Sequence, residues 1–251
     1  MLLNLALFAI TFAAGLLPLA LQQAFNERRL QLLLAFSGSF LLGITFLHLL
    51  PEVFSEEVIS LQAKGRSPVP LITGACIIGG FFLQLLIQRA THGVEHGHTH
   101  VHPHGSIPLA GIITGLSLHA FMEGIPLGFN YREAATTLPL YLAVTVHKLP
   151  ETMLLAILIS GVRSKRSAII TLLFFACLTP VAATISRNIG QHYHAMEKAV
   201  SAVIAVVAGA FIHIATTIFY ESGTKQHQLS RTKVVAMIVG VGCALATLFF
   251  E

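Results

Sequence analysis

The 251-residue chain is 55% hydrophobic and only 10% charged, with a formal net charge of +4, whereas soluble domains carry roughly 25% charged residues. A mean hydropathy of +0.78 excludes an ordinary soluble globule, a disordered chain and a collagen-like repeat, and blocks of apolar residues long enough to cross a bilayer indicate a polytopic helical membrane protein. All eleven acids are Glu, so the few charges that fall inside apolar blocks are where function is sought.

Runs of about 17 to 25 apolar residues give eight spans. The first, Leu2 to Leu21, lacks the basic start and small-residue cleavage site of a secretory signal and is expected to be retained. Leu30 to Leu50 and Val69 to Gln88 follow, closing a first block at residues 1–90, and residues 91–106 form a His-rich loop. Ile107 to Phe129 and Leu138 to Val162 make a central pair within 107–162, and Ala168 to Ile185, Ala199 to Tyr220 and Val234 to Phe250 complete residues 163–251. Uniform apolarity favours a bundle of helices over a barrel of alternating strands. Small residues at Gly74/Gly79/Gly80, Gly111/Gly115 and Ala205/Ala208/Gly209 let helix backbones approach. Cys76, Cys177 and Cys243 each stand alone in an apolar block and read as small packing residues.

Lys and Arg in alternate loops set the orientation. Arg28, Arg29, Arg89, Arg163, Lys165, Arg166, Lys225, Arg231 and Lys233, nine in all, fall in one set; Lys64, Arg66, Arg132, Arg187 and Lys198, five, fall in the other. Nine against five puts both termini outside. The fifteenth basic residue, Lys148, lies inside the fifth span.

The fourth span reads HAFMEGIPLG, with His119 and Glu123 at i and i+4 on one helical face, and the fifth reads HKLPE, with His147 and Glu151 spaced likewise. Each pair lies near the middle of its span. An ionised Glu in hydrocarbon costs about 2.5 kcal/mol or more, so two at one depth call for cations or protons as partners. A divalent metal satisfies both and uses the imidazole lone pairs, the mixed N/O set suiting zinc, iron(II), cobalt or manganese rather than magnesium or calcium. Pro126 and Pro150 each remove a helical hydrogen bond beside these motifs.

These motifs, with HLLPE at the end of span two (His48, Pro51, Glu52) and AGAFIHIATT in span seven, together resemble the ZIP family of divalent metal permeases over nearly the whole chain. The resemblance implies an eight-helix fold with both termini outside, assembled as a homodimer, that carries zinc or a similar metal toward the cytosol. It assigns His119, Glu123, His147 and Glu151 as ligands and sets His48 at the outer entrance. The metal is cargo rather than cofactor, the expected partners are divalent ions and lipid with no nucleic acid, and the expected location is the plasma or bacterial inner membrane or an organelle membrane. Two positions depart from the fuller family pattern. Ala120 and Lys148 replace an Asn and an acid that supply a second metal site, and neither has a lone pair to give in that role. A single metal is therefore expected, with Lys148 modulating the site.

The loop contains His92, His96, His98, His100, His102 and His104, and such alternating His binds transition metals through incomplete sites. By the charge count it faces the cytosol, where it would accept metal leaving the pore; His192 and His194 form a smaller pair in the outer loop after span six. The alternative reading is an intramembrane zinc-dependent hydrolase with an open position for water. Against it stand the lack of HExxH, of Asp and of a nucleophile beside the motif, and the protein is not expected to be an enzyme. A cation-diffusion efflux carrier would need Asp-containing intramembrane sites.

Overall fold

A computed structural model describes residues 1–21, 27–91, 109–129, 134–192, 197–221 and 230–250. Among these residues helices are the only regular structure: α1 (Leu2–Ala20), α2 (Glu27–Ile44), α3 (Leu50–Ala63), α4 (Leu71–Ala90), α5 (Leu109–Phe129), α6 (Ala134–Ser160), α7 (Lys165–His192), α8 (Glu197–Glu221) and α9 (Arg231–Thr247). A π-helical segment, Thr45–Leu49, fuses α2 to α3, and a 3₁₀ turn, Leu248–Phe250, ends α9. The fused pair is one rod, so eight rods correspond to the eight expected spans. Seven are long and apolar enough to cross a membrane; α9, at 17 residues, measures about 26 Å before its 3₁₀ extension.

Two boundaries differ most from expectation. The second span was expected to stop at Leu50, but the rod continues through Pro51 to Ala63. The wider π turn directly before Pro51 absorbs the hydrogen bond that a proline cannot donate. It then ends at Gly65 (φ 64°), where the Gly65 and Arg66 amides donate to the Gln62 and Leu61 carbonyls at 2.9 and 3.0 Å, a Schellman closure that requires the left-handed conformation. Helix α7 runs to His192, two turns past Ile185, so His192 lies in its last turn and not in a loop. Its polar stretch is held partly by packing, since Ser186 is buried where the α5 glycine Gly128 leaves room for it.

Helices α1, α5, α6 and α7 pack together, as do α2, α4, α8 and α9, and the two groups meet chiefly where α2 lies on α6 and α5 on α8. Small residues set these distances. A Cβ on Gly80 would strike the Val206 carbonyl and one on Gly209 the Ile77 carbonyl, so α4 and α8 cross backbone to backbone; Gly124 meets the Thr179 carbonyl between α5 and α7 in the same way. The polarity is inverted relative to a soluble protein. Ser37, Thr45, His48, His119, Glu123, His147, Lys148, Glu151 and Thr152 are buried while Ile72, Ile78, Leu86, Val235 and Ile238 face outward, as a bilayer solvent demands.

Candidate metal centre

The buried polar residues converge at the middle of α5 and α6. One turn separates His119 from Glu123 on α5 and His147 from Glu151 on α6, so each helix presents an imidazole and a carboxylate on one face. None of the four is more than 1% exposed. His119 Nε2 lies 3.1 Å from Glu123 Oε1 and 3.6 Å from Glu151 Oε1, and His147 Nε2 lies 3.6 Å from the same Glu123 oxygen. One donor atom from each residue fits within 4.8 Å of all the others. The rings of His119 and His147 meet edge to face at 5.7 Å. Tetrahedral zinc with ligands at about 2.0–2.2 Å sets neighbouring donor atoms roughly 3.4 Å apart. The three N···O separations bracket that value, while the four donors as a set spread over as much as 4.8 Å.

Lys148 enters the same centre. Its Nζ lies 2.5 Å from Glu123 Oε2 and 2.5 Å from Glu151 Oε2, using one carboxylate oxygen from each helix and leaving the Oε1 atoms turned to the imidazoles. The ammonium also lies 4.8 Å from the centre of the Phe175 ring on α7, a cation–π contact that replaces some lost hydration. Excellent geometry of this kind is what lets a buried ion pair offset its desolvation. Ala120, at the position where a second-site ligand was expected to be missing, is fully buried, and its carbonyl accepts the Thr179 hydroxyl at 2.8 Å. That bond ties α5 to α7 directly beside the centre. Pro126 and Pro150 lie within their helices, each removing one backbone donor a single turn or less from a Glu.

The other expected residues lie elsewhere. His48 is buried in the π segment and shares a 2.8 Å hydrogen bond between its Nε2 and Thr247 Oγ1 of α9, so it is not part of the four-residue cluster. His194 and the loop histidines His92, His96, His98, His100, His102 and His104 lie outside the described residues. Sequence reasoning passed over His213 except as a letter in the span-seven motif. It is buried on α8 and stacked on Phe81 of α4 at 4.9 Å, and the criterion applied to His119, an imidazole inside an apolar span, would have found it.

The sequence model of the ZIP zinc transporter family matches residues 1–111 and 107–247. The chain belongs to this family. Curated relatives agree over nearly the full length: Zinc transporter ZIP9 of Micropogonias undulatus is 26% identical over 95% of this chain and 93% of its own, and Zinc transporter ZIP9 of Xenopus tropicalis is 25% identical over the same shares. Zinc transporter ZIP2 of Homo sapiens is 23% identical over 83% of this chain and 84% of its own. As a ZIP member with seven helices fit to span a bilayer, the chain is a multi-pass membrane protein.

Proposed function

We propose that this protein carries a divalent transition metal, zinc first among them, across a membrane toward the cytosol, through the centre built by His119, Glu123, His147 and Glu151. What carries the reading is the spacing of the buried donors, 3.1 to 3.6 Å between His nitrogens and Glu oxygens, in a protein of the ZIP family. The nine-to-five charge count sets both termini outside. In that frame α5 runs outward and α6 inward, so Glu123 and His147 lie on the outer side of the centre and His119 and Glu151 on the inner. His48 lies just outward of the midpoint of its rod, bonded to Thr247 at the end of α9, and serves the entrance once that bond opens. The His-rich loop receives metal on the cytosolic side, and the His192 and His194 pair captures it outside.

Lys148 makes this a site for one metal. Counting formal charges, Glu123, Glu151 and Lys148 sum to −1 when empty and +1 with a divalent ion, whereas without the lysine the empty site would be −2. The ammonium holds the carboxylates when no metal is present and yields to the ion, which keeps binding weak enough for release. Purified protein in liposomes, screened with zinc, iron(II), manganese and cadmium, tests the proposal. Uptake should occur with the wild-type protein and fall to the empty-liposome background in the Glu123→Ala/Glu151→Ala double variant, and uptake at the wild-type rate by that variant would refute the site.

A further inference from the structure

His213 has the features of a ligand that the four-residue centre does not use. It is 5% exposed and sits on α8, in the helix group opposite the one that supplies the centre. Its ring is fixed twice, by stacking on Phe81 at 4.9 Å and 26° and by Thr217, whose hydroxyl lies 3.2 Å from Nδ1. The same hydroxyl donates to the His213 carbonyl at 2.9 Å. A hydroxyl has one proton, and we assign it to the carbonyl, the shorter of the two contacts and one that also accepts the Thr216 hydroxyl at 2.8 Å. The oxygen is then left to accept from Nδ1–H, and that assignment puts the lone pair of the neutral imidazole on Nε2. Nε2 is buried and has no hydrogen-bond partner among the described residues. An imidazole held by its Nδ1–H with a bare Nε2 is the arrangement of a metal-ligating histidine, the partner on one nitrogen orienting the other. A Phe at this place would stack on Phe81 without leaving a buried acceptor unsatisfied.

Position adds to chemistry. Helix α8, which carries His213, packs on α5, which carries His119. His213 lies four residues past Gly209, the midpoint of α8, which is about 6 Å along the axis toward the cytosolic end in the charge-based orientation.

We propose that His213 is a fifth metal-coordinating residue of the path, whose Nε2 takes the divalent ion as it leaves the centre on the His119 side. The proposal rests on the transport reading of that centre. It adds a donor from the second helix group, so that the ion is passed between the two groups without crossing a stretch bare of ligands.

The test uses full-length protein with Cys76, Cys177 and Cys243 replaced by Ala, in liposomes, with zinc, cadmium and manganese as probes. His213→Phe keeps the ring stack and removes the donor, and uptake of all three ions should fall about tenfold, the scale seen when a metal site loses a supporting group. Equilibrium zinc binding to the centre should remain at one equivalent. His213→Cys should restore cadmium uptake but not manganese uptake, because a thiolate favours the softer ion. Wild-type rates in His213→Phe, or equal losses of cadmium and manganese in His213→Cys, would overturn the assignment and leave a packing role. A second readout does not depend on transport: the pair His119→Cys/His213→Cys should bind one cadmium with the charge-transfer absorption of two thiolates, and neither single variant should. Absence of that bridge also overturns the proposal. A bridge in a protein that moves no metal would overturn the transport reading alone and leave His213 a ligand.

Discussion

Lys148 is where a single side chain decides the character of the centre. A lysine buried in an apolar span is costly unless paired, and here both carboxylates pair with it at 2.5 Å while Phe175 covers another side. The alternative for a lysine near midspan, bending toward an interface to keep its head hydrated, does not occur, since the residue is 1% exposed. Removing the ammonium leaves two carboxylates facing each other across α5 and α6 with only the imidazoles for company. Breaking a buried pair by deleting one partner costs about 3–5 kcal/mol, and a divalent ion then regains what the lysine supplied. Lys148→Ala should therefore melt at lower temperature than wild type when metal-free, show a larger rise in Tm on adding zinc, and bind zinc at least about tenfold more tightly, a difference of about 1.4 kcal/mol. Turnover in liposomes should slow as release becomes limiting. Titration calorimetry beside thermal melts decides it, and unchanged affinity would show that the ammonium does not compete with the ion.

At the scale of helices, glycine contacts separate positions that must stay small from those that need not. The α4–α8 crossing depends on Gly80 and Gly209, where any Cβ falls on a backbone carbonyl of the opposite helix, whereas Gly74 and Gly79, on the same α4, have nothing within 4 Å. Gly209→Val should force α4 and α8 apart and lower stability by about 1–3 kcal/mol or more, seen as reduced folded yield in size-exclusion chromatography. Gly79→Ala should be neutral or slightly stabilising, because it adds helix propensity of up to about 1 kcal/mol with no clash. Equal loss in both variants would remove the distinction. The same contrast explains what was legible in the sequence. The small residues and the two His/Glu pairs were visible because helical periodicity alone puts i and i+4 on one face. The continuation of α2 through Pro51 was hidden, since a proline reads as a stop until the π turn before it is known. The length of α7 past Ile185 was hidden too, because Ser186 and Arg187 look like loop residues when the cavity beside Gly128 is out of sight. The partners Thr247 of His48 and Phe81 of His213 came only with packing: Thr247 is 199 residues from His48, and nothing local marks it.

For the whole molecule, the direction of transport depends on which way the bundle is inserted, and the centre itself does not reveal it. The two His/Glu pairs lie on antiparallel helices, so turning the protein over exchanges Glu123 and His147 for His119 and Glu151 at the outer face and leaves the donor set unchanged. The asymmetry comes from the loops. Nine Lys and Arg lie in the loop set containing Ser164, against five in the set containing Ser67, and basic residues flanking spans are retained on the cytosolic side. Both serines are exposed on short connections, Ser67 after the Gly65 turn and Ser164 just before α7. With Cys76, Cys177 and Cys243 replaced, Ser164→Cys should be labelled by an impermeant thiol reagent only from the cytosolic side and Ser67→Cys only from outside. Labelling of both from one face would contradict the eight-rod topology, because three crossings, α4 to α6, separate them. Labelling of each from the opposite face would keep the fold and reverse the insertion, placing His213 on the outer side of the α8 midpoint and the His-rich loop outside, and turning the proposed exit ligand into a ligand of entry.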